Sequence, residues 1–438
     1  MGLSVSYFTV SFFFIYYLTD IVGLEPYLAG SAYFIGQAWG SINYPLFGII
    51  SDRTVSRFGR KRVYLLFGAL PFAASFVLLW MIPLDADQAF KFVFATVAML
   101  AYATLYSMIL VPYQALVPEM TSDYDERTSI IGIRAILSTL GTLFGGAAAM
   151  VVSGFSSELT GIRVMALAFA ALLLVTILAA AWSVRGMEDP RAAIPLRSRG
   201  LRFYRELLRD RNVSTLMVFK FLGAVATGML MASLPYFARN ILGDEGRSTI
   251  GLALYITVAA ICIPLWDRLS RRFDKRRLLL VAMLVQALML LCIGLFISGS
   301  SAIAFYAGCA LMGTVMSAYM LIAFSFPPDL VDYYELKSGV RHESMIFGLW
   351  LTVHQLGVAF AGLLLGLLLQ ISRYDGAVAV QGDPALLGVR LALGVLPGAF
   401  MIAAVLVLQR YGITRQAYME IRHALERRAR SSGAESRS

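Results

Sequence analysis

The sequence predicts an all-α membrane protein with twelve transmembrane helices in two six-helix bundles. Of its 438 residues, 59% are hydrophobic and only 15% are charged, which is too apolar for a water-soluble domain. The apolar runs are about 20 residues long, the length that a helix needs to cross about 30 Å of hydrocarbon. These runs are continuous rather than alternating, a pattern typical of helices and not of barrel strands.

Glycine, proline and clustered charges divide the apolar sequence into twelve predicted spans. We place the spans at residues 3–24, 27–50, 62–82, 89–117, 129–153, 162–184, 213–241, 248–266, 278–297, 301–326, 344–371 and 388–409. The first span has no basic leader and no small-residue cleavage site before or after it. We therefore interpret it as a membrane helix rather than as a removed signal peptide.

A long polar stretch rich in arginine separates the first six spans from the last six. It divides the chain into an N-terminal six-helix bundle at residues 1–184, a cytoplasmic linker at 185–212, a C-terminal six-helix bundle at 213–409 and a cytoplasmic basic tail at 410–438. A weak repeat supports two related halves, because Asp52-Arg53 with Gly59–Arg62 after the second span is matched by Asp267-Arg268 with Asp274–Arg277 after the eighth. Two such halves are typical of transporters with a binding site between them.

The distribution of basic residues predicts the orientation in the membrane. Most of the 37 lysines and arginines fall in the linker, the tail and the loops of the same side. The positive-inside rule then places both termini in the cytoplasm and the chain in the cell (inner) membrane. We interpret the net charge of +10 in the same way and expect no nucleic-acid partner. Residues 414–430 resemble a basic amphipathic helix on the anionic leaflet, followed by disordered residues.

The few cysteines and histidines exclude several classes of function. Cys262, Cys292 and Cys309 all lie inside predicted spans, where they are expected to pack as small apolar residues rather than form disulfides or bind metal. The three histidines are far apart in the sequence and form no metal or triad pattern. We therefore expect no catalytic residues, no metal, no cofactor and no enzymatic activity.

Several polar motifs narrow the class of protein further. They are Tyr17–Leu24, Ile42–Pro45, Gly48–Arg53 with Gly59–Arg62, Val111–Tyr113 through Pro118-Glu119, Asp125–Thr128 and Asp329–Lys337. Together they resemble the glycoside–pentoside–hexuronide:cation symporters of the major facilitator superfamily, a family that includes the melibiose permeases and has relatives that carry lysophospholipids. The resemblance implies a major facilitator fold. It also implies alternating-access transport of a sugar, glycoside or sugar acid, with Na⁺ or H⁺ as a coupling ion, by a monomer surrounded by lipid.

The sequence departs from that family at the positions that bind the coupling cation. Gly40 and Tyr44 stand where the family has two acidic residues on its second helix, and Asn43 lies between them. A sodium site needs oxygen ligands with negative charge, so sodium coupling at this position is expected to be lost. Asn43, Ser107 and the intramembrane His354, which could carry a proton, are the remaining candidates for cation coupling.

The sugar-binding positions have also changed. Leu110 and Ser4 replace acidic residues of melibiose-type members, and Gln355 replaces a lysine, so opposite charges are lost together. Arg134 and Lys220 are cations inside predicted spans, where a charge needs water, a partner or a ligand. Snorkelling to the headgroups is the alternative interpretation. The predicted substrate-binding set is Arg134, Tyr106, Tyr113, Gln114, Gln355 and Lys220.

Charged residues between spans are candidates for gating. Arg127 after the fourth span and Asp329, Asp332 and Arg341 after the tenth match family positions that tie the two bundles together. Such exposed pairs can break and reform during alternating access. Asp52, Arg53 and Arg60 are predicted to form a second charge relay.

Two glycine-rich patterns are predicted to serve close helix packing. They are Gly141, Gly145 and Gly146 in the fifth span, and Gly357, Gly362 and Gly366 in the eleventh.

Two other functions remain open at this point. One is sodium-independent or proton-linked transport of an amphiphilic or lipid-like anion, which the cations and the missing carboxylates would suit. The other is a membrane sensor that does not transport, because a fold does not determine a function.

Overall fold

The computed structural model describes residues 1–438 except 121–123, 186–200, 245, 298–301, 339–342, 379, 414 and 436–438, and the described residues form helices, turns and no strand. We number the long helices that correspond to the twelve predicted spans α1 to α12. They are α1 (Gly2–Tyr16, continued by a π-helical turn at Tyr17–Ile21), α2 (Pro26–Arg53), α3 (Arg62–Leu79), α4 (Gln88–Met120), α5 (Tyr124–Gly146, continued by Ala148–Ser153), α6 (Glu158–Ser183), α7 (Arg211–Asn240), α8 (Gly246–Arg272), α9 (Lys275–Phe296), α10 (Ala302–Ala323, continued by Phe326–Ser338), α11 (Glu343–Ile371) and α12 (Asp383–Arg390, a π-helical turn at Leu391–Val395, and Leu396–Leu408). A short helix at Leu201–Arg209 precedes α7, and a tail helix at Arg415–Glu435 follows α12.

Ten of these helices are long and apolar enough to cross a membrane. The exceptions among the twelve are α2 and α5. In α2 the buried polar residues Gln37, Ser41 and Asn43 lower the hydropathy, and they are tolerated because they face other helices rather than lipid. In α5 the apolar stretch is shorter, at Ile133–Gly146. The prediction of an all-α protein with twelve transmembrane helices is confirmed.

Two local predictions were wrong. The segment after the tenth span, expected to be a loop, forms the helix Phe326–Ser338. Its prolines lie in the first turn, where no intrahelical N–H bond is needed, and Leu330 and Val331 are buried, so packing stabilises it. The tail is helical to Glu435, past the expected end at Arg430. Both helical segments depend on tertiary packing, which the hydropathy of the sequence does not report.

The end of the bundle that carries the chain termini is called the terminus side, and the opposite end the distal side. Since successive helices run in alternating directions, α2 starts at the distal side and α3 at the terminus side. Near the distal side, α2 of the N-terminal half crosses α11 of the C-terminal half. An added Cβ on Gly30 would lie 2.6 Å from the Gly362 carbonyl oxygen, and one on Gly366 would lie 2.9 Å from the Gly30 Cα. The two halves therefore meet backbone to backbone.

Glycines also set the packing within each half, as predicted. A Cβ on Gly145 of α5 would lie 2.6 Å from the Val5 carbonyl oxygen of α1. A Cβ on Gly357 of α11 would lie 2.7 Å from the Phe221 carbonyl oxygen of α7. Because real Cβ atoms do not approach so closely, these helices could not pack this way with larger residues.

The segment before α7 is attached to α10 by a buried carboxylate. Asp210 caps α7 by accepting hydrogen bonds from the Asn212 and Val213 amides at 2.9 and 3.4 Å. It also accepts one from the Tyr333 hydroxyl at 3.1 Å and pairs with Lys337 at 2.5 Å. Burial raises the pKa of the Asp210 carboxyl, but the bonds from Lys337, Tyr333 and Asn212 outweigh burial and lower the pKa below its usual value.

We expect Gly366→Ala to destabilise the protein, because overpacking a tight contact costs about 1–3 kcal/mol. Gly348→Ala on the same helix is the matched control, since a Cβ there would meet nothing within 4 Å. The apparent melting temperature of purified protein in detergent should fall for Gly366→Ala and stay or rise for Gly348→Ala. Equal effects would show that the α2–α11 crossing can relax.

We expect the stability of the Asp210→Asn variant to fall less steeply than that of the wild type as the pH is lowered. A carboxyl with a lowered pKa in the folded state stabilises above its unfolded pKa, and this contribution is lost as pH falls through the lowered value. Asparagine still caps the helix, so the variant isolates the charge. Melting temperature against pH should depend less steeply on acid than in the wild type. An unchanged acid limb would contradict the assignment.

Candidate functional site

A cavity of about 270 Å³ lies inside the terminus-side part of the N-terminal half. It is bounded by α1, α3, α4, α5 and α6. The described lining residues are Met1, Gly2, Leu3, Ser4, Tyr7, Phe8, Leu65, Tyr106, Ile109, Leu110, Tyr113, Gln114, Arg134, Ser138, Thr176, Ile177 and Ala180. Apolar side chains and backbone form most of the wall, and the polar groups converge from α1, α4 and α5.

Arg134 is the only charged side chain among these lining residues, and none of them is a carboxylate. Its guanidinium carbon lies 5.1 Å from the centre of the Tyr113 ring, in cation–π geometry. Tyr106 stacks on Tyr7, with ring centres 5.9 Å apart. The site therefore combines the Arg134 guanidinium with aromatic surfaces and neutral hydrogen-bonding groups.

The structure brings together Tyr106, Tyr113, Gln114 and Arg134 of the predicted substrate-binding set. Their positions follow from helical periodicity. Tyr106, Tyr113 and Gln114 recur on one face of α4, and Arg134 lies on the neighbouring α5. The described lining of this cavity does not include the other two members of the set. Gln355 donates a hydrogen bond to Gln37 across the interface between the halves, and Lys220 is buried inside the C-terminal half.

The candidates for cation coupling lie apart from one another. Asn43 donates to the Thr104 hydroxyl at 3.4 Å, and Ser107 donates to the Ala103 carbonyl at 2.8 Å. Both side chains are thus engaged at the α2–α4 contact. His354 on α11 is partly exposed, yet its Nδ1 is enclosed and has no hydrogen-bond partner in the described part of the chain. No group of three His, Cys, Asp or Glu that could hold a metal ion occurs among the described residues.

The predicted gating residues are only partly described. Asp329 and Asp332 lie on the second helical segment of α10, and Asp332 accepts a hydrogen bond from Tyr418 at 3.1 Å and faces Arg422 of the tail helix at 3.8 Å. Arg53 ends α2 and Arg60 lies in the turn after it. Arg341 lies outside the described residues, as do the side chains of Asp52 and Arg127, whose backbone belongs to α2 and α5 rather than to loops. The charge relays therefore stay predictions.

A second polar cluster, at the distal side, joins the two halves. The Asp20 side chain at the end of α1 is fully buried and pairs with Arg239 of α7 at 2.9 Å. Asp20 also accepts hydrogen bonds from Tyr374, just after α11, at 2.6 Å and from Thr19 at 2.7 Å. Arg239 donates a further bond to the Tyr16 hydroxyl at 2.8 Å. We call Asp20, Arg239, Tyr374, Thr19 and Tyr16 the distal cluster.

The π-helical turn Tyr17–Ile21 presents Thr19 and Asp20 to the other half. Such turns occur frequently at functional sites because the extra residue re-aims the side chains. Thr19 also shares a hydrogen bond of 2.7 Å with Tyr236 of α7. The distal end of the interface is therefore closed by charge and hydrogen bonds as well as by glycine packing.

Sequence reasoning missed the distal cluster. Asp20 enters the sequence analysis only within the motif at residues 17–24, and Arg239 was not singled out. A signal was present, because the two residues end the first helix of each half with opposite charges. Pairing such equivalent positions across the two halves would have suggested the contact.

Comparison with known proteins agrees with this architecture. A family described as MFS/sugar transport protein matches residues 1–415, and the chain belongs to that family. A putative glycoside/cation symporter of Escherichia coli is 26% identical, over 92% of this chain and 87% of its own. A sphingosine-1-phosphate transporter of Xenopus tropicalis is 25% identical, over 95% of this chain and 86% of its own.

The fold is also similar to solved transporters. A bacterial homologue of the human lysosomal transporter Spinster, solved in an inward-facing and occupied conformation, gives a TM-score of 0.67 at 16% identity, over 97% of this chain and 95% of its own. This likeness concerns the fold alone. The family and the sequence relatives identify a multi-pass membrane protein of the secondary transporter class that moves small solutes, as predicted, and not an enzyme.

We expect Asp20→Asn to weaken closure of the distal side, because a hydrogen bond to a charged group contributes about 1.5–3 kcal/mol. Spin labels at Tyr27 of α2 and Leu387 of α12, both exposed, report the distance between the halves once Cys262, Cys292 and Cys309 are replaced. The distance distribution should shift toward longer separations.

Asp244→Asn is the matched control for this experiment. Asp244 lies on the same side of the protein, where it pairs with Arg247 at 3.6 Å within one half. It should leave the distances unchanged. A distribution that is identical in the wild type and Asp20→Asn would argue against a gating role for the distal cluster.

Proposed function

We propose that this protein carries a small anionic organic solute, such as a sugar acid, by alternating access. The observation that carries the proposal is Arg134, a cation in a cavity whose described lining contains no carboxylate. A charge at this depth is costly unless it meets water or an opposite charge. Its guanidinium presents donors in a planar fork that matches a carboxylate. An anionic solute would supply the missing partner.

The neutral groups around Arg134 suit the rest of such a solute. Tyr106, Gln114, Ser4 and Ser138 can exchange hydrogen bonds with hydroxyl groups, and Ser4 and Ser138 already bond to each other at 2.7 Å. A volume of about 270 Å³ lies just below the range of about 300–1,000 Å³ that is usual for ligand pockets. A monosaccharide-sized molecule fits this volume better than a lipid with a long acyl chain.

Alternating access gives the distal cluster its role. With the distal interface closed, the cavity can open only toward the terminus side. The distribution of basic residues favours a cytoplasmic terminus side, so this state would exchange solute with the cytoplasm. Transport then requires that the distal cluster separates while contacts form on the terminus side.

We propose that the coupling does not use sodium at the position on α2 that the family resemblance indicated. Gly40 and Tyr44 supply no carboxylate there, and Asn43 and Ser107 already bond within the protein. A sodium ion would lack the negative ligands that offset its dehydration. No cofactor is required, and a monomer in lipid, without nucleic acid, is sufficient for this mechanism.

Exchange in proteoliposomes tests the proposed solute. Purified protein is loaded with unlabelled D-glucuronate, and entry of labelled D-glucuronate, D-glucose or a lysophospholipid is followed with and without sodium. We expect glucuronate exchange that is independent of sodium and lost in Arg134→Gln, because a charged hydrogen bond of about 1.5–3 kcal/mol is removed.

Arg163→Gln is the matched control, since Arg163 is exposed on α6 and outside the cavity lining. It should exchange glucuronate like the wild type. Glucuronate exchange that survives Arg134→Gln would refute the assignment of Arg134. Flux of lysophospholipid alone would favour the amphiphilic anion, and no flux of any compound would favour a sensor.

A further inference from the structure

Lys220 of α7 is a buried cation in the C-terminal half, apart from the cavity and the distal cluster. Its side chain is only 2% exposed. The Nζ atom lies 4.8 Å from the centre of the Trp350 ring of α11, and 5.0 and 5.2 Å from those of Phe324 and Tyr319, which α10 and the turn after it carry. We call Trp350, Phe324 and Tyr319 the aromatic box.

The aromatic box contains no counter-charge for Lys220. Within the described part of the chain, the Lys220 amine makes one hydrogen bond, a long one of 3.5 Å to the Tyr319 hydroxyl, and no carboxylate lies within ion-pair distance of it. Burial disfavours the ammonium, whereas the three ring faces favour it. A lysine in this setting gains or loses its proton when its surroundings change.

His354 is a second titratable group near Lys220. It lies one helical turn after Trp350 on the same face of α11 and within electrostatic range of Lys220. It is partly exposed, and its Nδ1 is enclosed without a described partner. Tyr319 from α10 and His354 from α11 are the titratable groups that face Lys220 in the described part of the chain.

The aromatic box is connected to the interface that must move during transport. Gln355, next to His354, donates a hydrogen bond to Gln37 of α2 in the other half. Gly223, one turn after Lys220, lies against Tyr319, since an added Cβ would be 2.7 Å from its hydroxyl. When the halves separate, Gln355 loses its hydrogen bond to Gln37, and the surroundings of α11 change next to His354.

We propose that Lys220 binds the coupling proton of transport, with His354 as its relay to solvent. This inference rests on the proposed carrier function. In each cycle the Lys220 amine would accept one proton on one side of the membrane and the ammonium would release it on the other. Only an N–H bond forms and breaks. An anionic solute of one charge that moves with one proton crosses without net charge, so the membrane potential does not oppose its entry.

Proton binding can be measured without any solute. Trp350 is made the sole tryptophan by replacing Trp39, Trp80, Trp182 and Trp266 with Phe. Its fluorescence is then followed from pH ~5 to ~10, a range that covers the pKa values of both buried and solvated lysines. We expect one transition that is lost in Lys220→Met and in Lys220→Arg and that persists in His354→Gln. A transition that persists in Lys220→Met, or is lost in His354→Gln alone, would overturn the proposal.

Lys91→Met is the matched control for loss of a buried lysine. Lys91 is also buried, but its Nζ donates to the Val22 carbonyl at 2.8 Å and lies far from the aromatic box. This variant should keep the Trp350 transition. Size-exclusion profiles identify a variant that does not fold. Lys220→Arg then replaces Lys220→Met as the deciding variant, because it keeps a charge that does not titrate in this range.

Vesicles test the coupling itself. With an inward proton gradient, wild-type protein should accumulate D-glucuronate, whereas Lys220→Met should exchange it at uniform pH but lose the accumulation. Accumulation retained in Lys220→Met would refute proton coupling at this residue. If wild-type protein moves no glucuronate at all, the proposed solute fails, and the Trp350 titration still decides whether Lys220 binds a proton.

Discussion

The architecture depends on one buried carboxylate. The Asp20 side chain has no exposed surface, and a charge in that position must be paired and hydrogen-bonded. Its partners Arg239 and Tyr374 belong to the other half of the chain. Satisfying Asp20 therefore requires that the two halves close at the distal side, and this closure determines the side from which the cavity can be reached.

Glycine packing makes that closure compact. Gly30 and Gly366 allow α2 and α11 to touch through their backbones, so the distal part of the interface holds few bulky side chains that would have to move. A close crossing of this kind has two discrete arrangements, packed or separated, rather than a continuous range. In the proposed transport cycle, the polar contact and the small-residue contact would open and close together.

Three buried or half-buried cations are stabilised against the free-energy cost of desolvation in different ways. Arg239 is paired with a carboxylate, Arg134 rests on a tyrosine face beside an open cavity, and Lys220 is enclosed by aromatic rings. The first arrangement holds two halves together, the second leaves a charge that a solute can neutralise, and the third leaves a lysine without a described carboxylate beside it. In each case the role proposed for the residue follows from the groups that surround its charge in the described structure.

The sequence by itself determined the helix count, and with the family resemblance it indicated four of the residues that line the cavity. Apolar length is a local property, so the helix count could be inferred before any packing was known. Tyr106, Tyr113, Gln114 and Arg134 were indicated by the positions that they share with the family. Only the tertiary structure decided that Asp20 meets Arg239, 219 positions away, and that Lys220 meets Trp350. It also decided that Phe326–Ser338 and the tail end are helical. These features depend on which surfaces face each other when the helices pack, and no local pattern carries that information.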